Sequence, residues 1–103
     1  METVDRIEQY INNNDIVVFM KGSPKFPMCG FSAQVVQALN SCDVSFEHVD
    51  ILQDPDIRSE IKTYANWPTF PQLYVNGELV GGCDIVMELH QRGELADIVN
   101  VSA

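Results

Sequence analysis

Five consecutive apolar residues, Ile16-Val17-Val18-Phe19-Met20, constrain this chain more than any other segment. A strand with one wet face alternates apolar and polar side chains, whereas an unbroken run is typical of a strand covered on both faces. The flanks supply candidate covers. Val4, Ile7 and Ile11 have helical spacing, and Asn12-Asn13-Asn14 ends that segment; Phe31, Val35, Val36 and Leu39 recur with helical period until Asn40-Ser41.

The remaining elements have equally local signals. Phe46 to Ile51 is short, apolar-rich and bounded by polar turns, which predicts a second strand. Asp54 can cap a following helix, Pro55 suits its first position, and Ile57, Ile61 and Tyr64 supply an apolar face, with Arg58 and Lys62 together on another. Leu73-Tyr74-Val75, Asn76-Gly77 and Glu78-Leu79-Val80 form a hairpin signal, because both turn positions favour positive φ. After Gly81-Gly82, Asp84 can cap a helix carrying Ile85, Val86 and Leu89 and ending at Gly93; a short last helix follows from Glu94. This order predicts an α/β chain. Its four-stranded mixed sheet has helices on both faces, a right-handed parallel first crossover and an antiparallel hairpin.

At 103 residues and 46% hydrophobic content, the chain is expected to form a single domain over residues 1–103. The N-terminus shows no basic segment followed by an apolar one, and the run at Ile16–Met20 is far below membrane-spanning length, so no membrane association is expected. Cys29, Cys42 and Cys83 are an odd number without a secretion signal, which favours reduced thiols and a cytoplasmic location. In that setting the glycosylation-like triplet Asn100-Val101-Ser102 is read as chance. A net charge of −9 disfavours nucleic acid, whose binding rests on cation contacts to phosphate. Of only six Lys and Arg residues, Lys21, Lys25, Arg58 and Lys62 fall near segments expected around Cys29. That clustering suggests capture of a small anion; ordinary solvated surface charge is the plainer reading.

Cys29-Gly30-Phe31-Ser32 places one thiol at a helix start, with serine where a two-cysteine redox motif would have its second sulfur. The site cannot close its own disulfide. A free thiol ionises at roughly pH 8.5, so activation is required near neutrality. Unpaired amides at the helix start and the charge of Lys21 both favour the anion, a helix terminus alone contributing about 0.3–1 kcal/mol. A small buried hydrophobe is the alternative role for a lone cysteine, and Cys42 fits that role. Trp67-Pro68-Thr69-Phe70-Pro71 is a rigid, donor-poor loop; a cis bond before Pro71 would make a tight turn, although sequence physics does not set the isomer. Gly81-Gly82-Cys83-Asp84 offers free backbone at a helix start for a carboxylate, while Asp84 either holds an ammonium or caps the helix. Cys83 contributes its backbone or a reactive thiol. His48 and His90 lack zinc-site spacing, and no phosphate loop or Ser-His-Asp arrangement is visible.

Taken together, Lys21 to Ser32, Trp67-Pro68-Thr69-Phe70-Pro71-Gln72 and Gly81-Gly82-Cys83-Asp84 strongly resemble a monothiol glutaredoxin of the Cys-Gly-Phe-Ser class, nearest its single-domain bacterial members. The likeness spans nearly the whole chain. It implies a thioredoxin-like fold and glutathione binding, with Pro71 cis and the backbone of Phe70 pairing with the cysteinyl part of glutathione. By the same resemblance Lys21 and Arg58 face the glycine carboxylate, while the amides of Gly82 and Cys83 and the side chain of Asp84 hold the γ-glutamyl end. Lys25 and Lys62 receive no family role.

Members of this class resemble carriers of a [2Fe-2S] cluster, which needs four thiolates. One chain offers Cys29, so two chains and two glutathiones complete the set as a homodimer. The resemblance implies cluster transfer to iron-sulfur apo-proteins, support of iron homeostasis, and pairing with BolA-type proteins. The alternative function is glutathione-dependent thiol-disulfide exchange, in which Cys29 removes glutathione from mixed disulfides; this needs one nucleophile only. A redox-inert module that recognises BolA-type partners would leave Cys29 without a task.

Overall fold

The computed structural model describes residues 2–100. Nine elements follow in order: α1 Thr3–Asn13, β1 Ile16–Met20, α2 Gly30–Ser41, β2 Glu47–Asp50, α3 Pro55–Ala65, β3 Gln72–Val75, β4 Glu78–Gly81, α4 Cys83–Gln91 and α5 Leu95–Asn100. The order matches the sequence pattern. Strand β2 is shorter than expected at both ends, and the triplet at 100–102 falls partly outside the described residues.

The strands run β2-β1-β3-β4 across one sheet, with β1 parallel to β2 and antiparallel to β3. All five β1 side chains are buried, and period-two alternation sends them into two different cores. Ile16, Val18 and Met20 join Val35, Leu39, Val86 and Leu95, beneath α2, α4 and α5. Val17 and Phe19 join Ile7, Ile11, Ile57, Ile61 and Tyr74, beneath α1 and α3. Phe19 anchors the second core through edge-to-face contacts with Tyr74, at 5.5 Å between ring centroids, and with Tyr10, at 6.3 Å. The continuous apolar run is thus explained by two helical layers. This is the four-stranded mixed sheet with helices on both faces anticipated above.

The local punctuation follows its physical signals. Asp54 caps α3 by accepting from the Ile57 amide at 3.2 Å, with Pro55 in the first turn. Asn76 and Gly77 have φ of 52° and 83°, as a primed two-residue hairpin turn requires. In that hairpin Leu73 pairs with Gly81 and Tyr74 with Leu79, so Val80 is an extra residue that forms a bulge. Tyr64 departs from the expected apolar face of α3 and is exposed, whereas Ile57 and Ile61 are fully buried. Asp84 also departs from its expected capping role. Helix α4 begins two residues earlier, with Gly82 at the N-cap and no side-chain cap, which leaves Asp84 in the first turn.

Besides capping α3, Asp54 pairs with Arg6 of α1 and so ties the two helices of one layer. Replacing Asp54 by Ala should therefore lower unfolding free energy by about 1–2 kcal/mol, whereas Asp54→Asn, which can still cap, should cost less. Urea denaturation of the two variants checks this ranking.

Candidate functional site

Three chain segments meet at the end of the sheet where β1 finishes. The first is the loop from Lys21 to Cys29, folded back on itself as a miniature hairpin. Ser23 and Phe26 exchange backbone hydrogen bonds at 3.2 and 3.1 Å, and the Met28 amide donates to the Lys21 carbonyl at 2.9 Å. Gly22 makes this fold-back possible: its φ is 88°, and a Cβ there would stand 2.5 Å from the Phe26 carbonyl oxygen. The loop is held from below by two polar side chains. Asp50 accepts from the Gly22 amide at 3.0 Å, and the Ser32 hydroxyl accepts from the Lys21 amide at 3.2 Å.

The second segment is the Trp67–Pro71 loop, whose Phe70-Pro71 peptide bond is cis. The third is Gly82-Cys83-Asp84 at the start of α4. Between them lies an open cleft of about 520 Å³, within the size range of small-ligand sites. Lys21, Cys29, Arg58, Phe70, Gly82, Cys83 and Asp84, the residues singled out from sequence, all line it. Pro71 does not line the cleft itself; its carbonyl packs against Gly82, 3.3 Å from where a Cβ would stand. Of the four cations grouped by sequence, Lys25 stays outside and Lys62 joins the lining.

Lys62 was left without a role by resemblance, yet its Nζ lies 5.9 Å from the Phe70 ring centroid, within cation–π range. Its signal was available, since residues four apart on a helix share a face and Arg58 was already singled out. Phe31, Trp67, Thr69 and Ile85 were also missed as lining. Phe31 and Ile85 are exposed although each was read as part of an apolar helix face. Hydrophobicity alone does not distinguish a cleft wall from a core.

The three thiols occupy different electrostatic settings. Cys29 occupies the N-cap of α2, where the nearby backbone amide of Ser32 is the main cause of a pKa below the ordinary thiol value, although the sulfur makes no cap hydrogen bond. Partial desolvation opposes that shift, while the Phe31 amide, the Lys21 charge and the Ser32 hydroxyl reinforce it. Cys83 is pushed the other way by burial, then by the charges of Asp84 and Cys29, and its thiol donates to Gln34 Oε1 at 3.3 Å. Cys42 packs against the core and is raised by burial. One cysteine is therefore prepared as a nucleophile or metal ligand. The cleft beside it offers Lys21, just after β1, with Arg58 and Lys62 of α3, and the start of α4 with the Asp84 carboxylate.

A family model described as glutaredoxin matches residues 16–80, which hold the sheet, the lone thiol and the Trp67–Pro71 loop. The chain belongs to the glutaredoxin family. Glutaredoxin 4 of Haemophilus ducreyi is 60% identical over 103 residues, covering 100% of this chain and 96% of that one. The solution structure of reduced poplar apo GrxS14 superposes with a TM-score of 0.82 at 45% identity, covering 95% of this chain and 90% of the other. The crystal structure of a buckwheat glutaredoxin–glutathione complex superposes with a TM-score of 0.84 at 25% identity, covering 96% and 88%. With Ser32 after Cys29-Gly30-Phe31, the chain is a monothiol glutaredoxin of the Cys-Gly-Phe-Ser class.

The thiol settings of this monothiol glutaredoxin make a direct prediction. A lowered pKa keeps the thiolate populated at lower pH, and a raised one delays it. Alkylation by iodoacetamide near pH 7, followed by peptide mapping, should modify Cys29 first. Its rate-versus-pH midpoint should lie below those of Cys83 and Cys42.

Proposed function

We propose that this glutaredoxin binds glutathione in the cleft and carries a [2Fe-2S] cluster as cargo between two chains. The observation that carries the reading is a single thiolate-favouring cysteine at the mouth of a cleft built for a zwitterionic peptide. Glutathione has carboxylates at both ends and an ammonium at one. Lys21, Arg58 and Lys62 suit the glycine carboxylate, the amides at Gly82 and Cys83 suit the γ-glutamyl carboxylate, and Asp84 suits its ammonium. The backbone of Phe70, beyond which Pro71 turns the chain, is left for the cysteinyl unit. The buckwheat glutaredoxin–glutathione complex supports glutathione as the ligand class.

Cluster carriage follows from counting ligands. A [2Fe-2S] cluster takes four thiolates, and among the described residues no group of three or more His, Cys, Asp or Glu side chains is placed to hold a metal ion. Cys29 from each of two chains and two glutathione thiols meet the requirement. Phe26 at 75%, Met28 at 69% and Phe31 at 58% exposure, all within three residues of Cys29 in sequence, are apolar side chains that a second chain can cover. A cluster half held by small ligands exchanges readily, which suits delivery to iron-sulfur apo-proteins and replacement of one chain by a BolA-type protein. No helix of the described residues is long and apolar enough to cross a membrane; the reduced thiols suit a cytoplasmic setting.

The thiolate-favouring environment also supports the exchange reaction. Cys29 attacks the glutathionyl sulfur of a mixed disulfide, expelling the substrate thiolate; a second glutathione thiolate then attacks the Cys29-bound glutathione, releasing glutathione disulfide and regenerating Cys29. With serine at position 32 the motif supplies no resolving thiol of its own, and the second step uses external glutathione.

Anaerobic reconstitution with iron, sulfide and glutathione should yield a coloured dimer that Cys29→Ser abolishes. Equal assembly without glutathione would overturn the reading. Lys21→Ala, Arg58→Ala and Lys62→Ala should each weaken glutathione binding in calorimetric titration, with smaller differences at high ionic strength because exposed charges are screened. Turnover of a glutathionylated substrate should be slow beside a dithiol homologue, and rapid turnover would promote exchange to the main activity.

A further inference from the structure

A buried polar network joins β3 to the cleft loop, and neither thiol chemistry nor anion capture uses it. Gln72 is fully buried and Tyr74 is 3% exposed. Residues two apart on a strand share a face, so both side chains point towards α1 and α3. Gln72 Nε2 donates to the carbonyls of Trp67 at 3.1 Å and Thr69 at 3.2 Å, while the Tyr74 hydroxyl donates to Gln72 Oε1 at 3.1 Å.

This arrangement has one orientation. Backbone carbonyls only accept, so the amide must turn its nitrogen towards the loop, and both protons are then used. Its oxygen is left facing Tyr74, whose phenol keeps its proton because burial, and then Tyr64, push its pKa up to about 12. The loop has few donors of its own with which to hold its shape, since Pro68 and Pro71 bring no amide hydrogen. Its residues Trp67, Thr69 and Phe70 nevertheless form one wall of the cleft.

We infer that Gln72, oriented by Tyr74, is a positioning residue for ligand binding: it clamps the Trp67 and Thr69 carbonyls and so sets the shape in which Thr69 and Phe70 meet glutathione. The inference rests on the glutathione reading of the cleft. Gln72 touches no ligand under it and acts only through the loop. A residue needed for packing alone would lower stability and leave the affinity of the folded protein unchanged.

The test compares Gln72→Met, which keeps length and loses every hydrogen bond, with Tyr74→Phe, which loses only the orienting hydroxyl. Glutathione affinity is measured by calorimetry below the unfolding transition of each variant, beside the emission of Trp67, the one tryptophan of the chain. Gln72→Met should weaken glutathione about tenfold, equivalent to about 1.4 kcal/mol, and shift the Trp67 emission, with Tyr74→Phe moving both in the same direction by less. The Cys29 alkylation midpoint should stay in place. Folded variants that bind glutathione within about twofold of the unaltered protein would overturn the positioning role alone. If Gln72→Met does not fold, Tyr74→Phe decides by the same criterion. Failure of the unaltered protein to bind glutathione would overturn the cleft reading and this inference with it.

Discussion

Burial of β1 on both faces is the constraint from which the rest of the molecule follows. None of its five side chains exceeds 4% exposure, and they divide between two cores. A strand so covered needs pairing partners on both edges and a helical layer on each face, which β2, β3 and the five helices supply. The functional segments are then placed by exit geometry. Lys21 continues β1, Gln72 opens the antiparallel β3, and Gly81 closes β4, so the loops beside these residues gather at one end of the sheet.

Backbone leaving a sheet carries polar groups that must be satisfied again. Here buried or half-buried side chains do so and shape the cleft in the process. Ser32 receives the Lys21 amide, Asp50 receives those of Gly22 and Leu52, both at 3.0 Å, and Gln72 donates to the Trp67 and Thr69 carbonyls. Ser32 thereby has two consequences. Its presence removes a competing disulfide partner for Cys29, and its hydroxyl anchors the loop that brings Lys21 towards that thiol.

The chemical inequality of the cysteines comes from their surroundings: backbone amides at Cys29, burial at Cys42, and burial with neighbouring charge at Cys83. Cys29 lies near helix-start amides that lower its pKa, whereas Cys83 lies at the start of another helix but beside Asp84 and more deeply covered. A helix N-terminus favours an anion only where local charge and solvation do not outweigh it. The two thiols border the same cleft with opposite tendencies, which leaves Cys29 as the more readily ionised of the two.

The sequence by itself determined the element order, because its signals are local. The apolar run at Ile16–Met20, the cap and proline at Asp54-Pro55 and the turn at Asn76-Gly77 each depend on neighbours a few residues away. It also marked the segments that meet at the cleft, since a cysteine at a helix start and Gly82-Cys83-Asp84 are contiguous motifs. Only the tertiary structure decided that Lys62 enters the cleft while Lys25 does not, and that Phe31 and Ile85 face ligand space instead of a core. It alone revealed the grip of Gln72 on the Trp67–Pro71 loop. Those outcomes depend on how helices from opposite faces meet at the end of the sheet, a relation between distant segments that no local periodicity encodes.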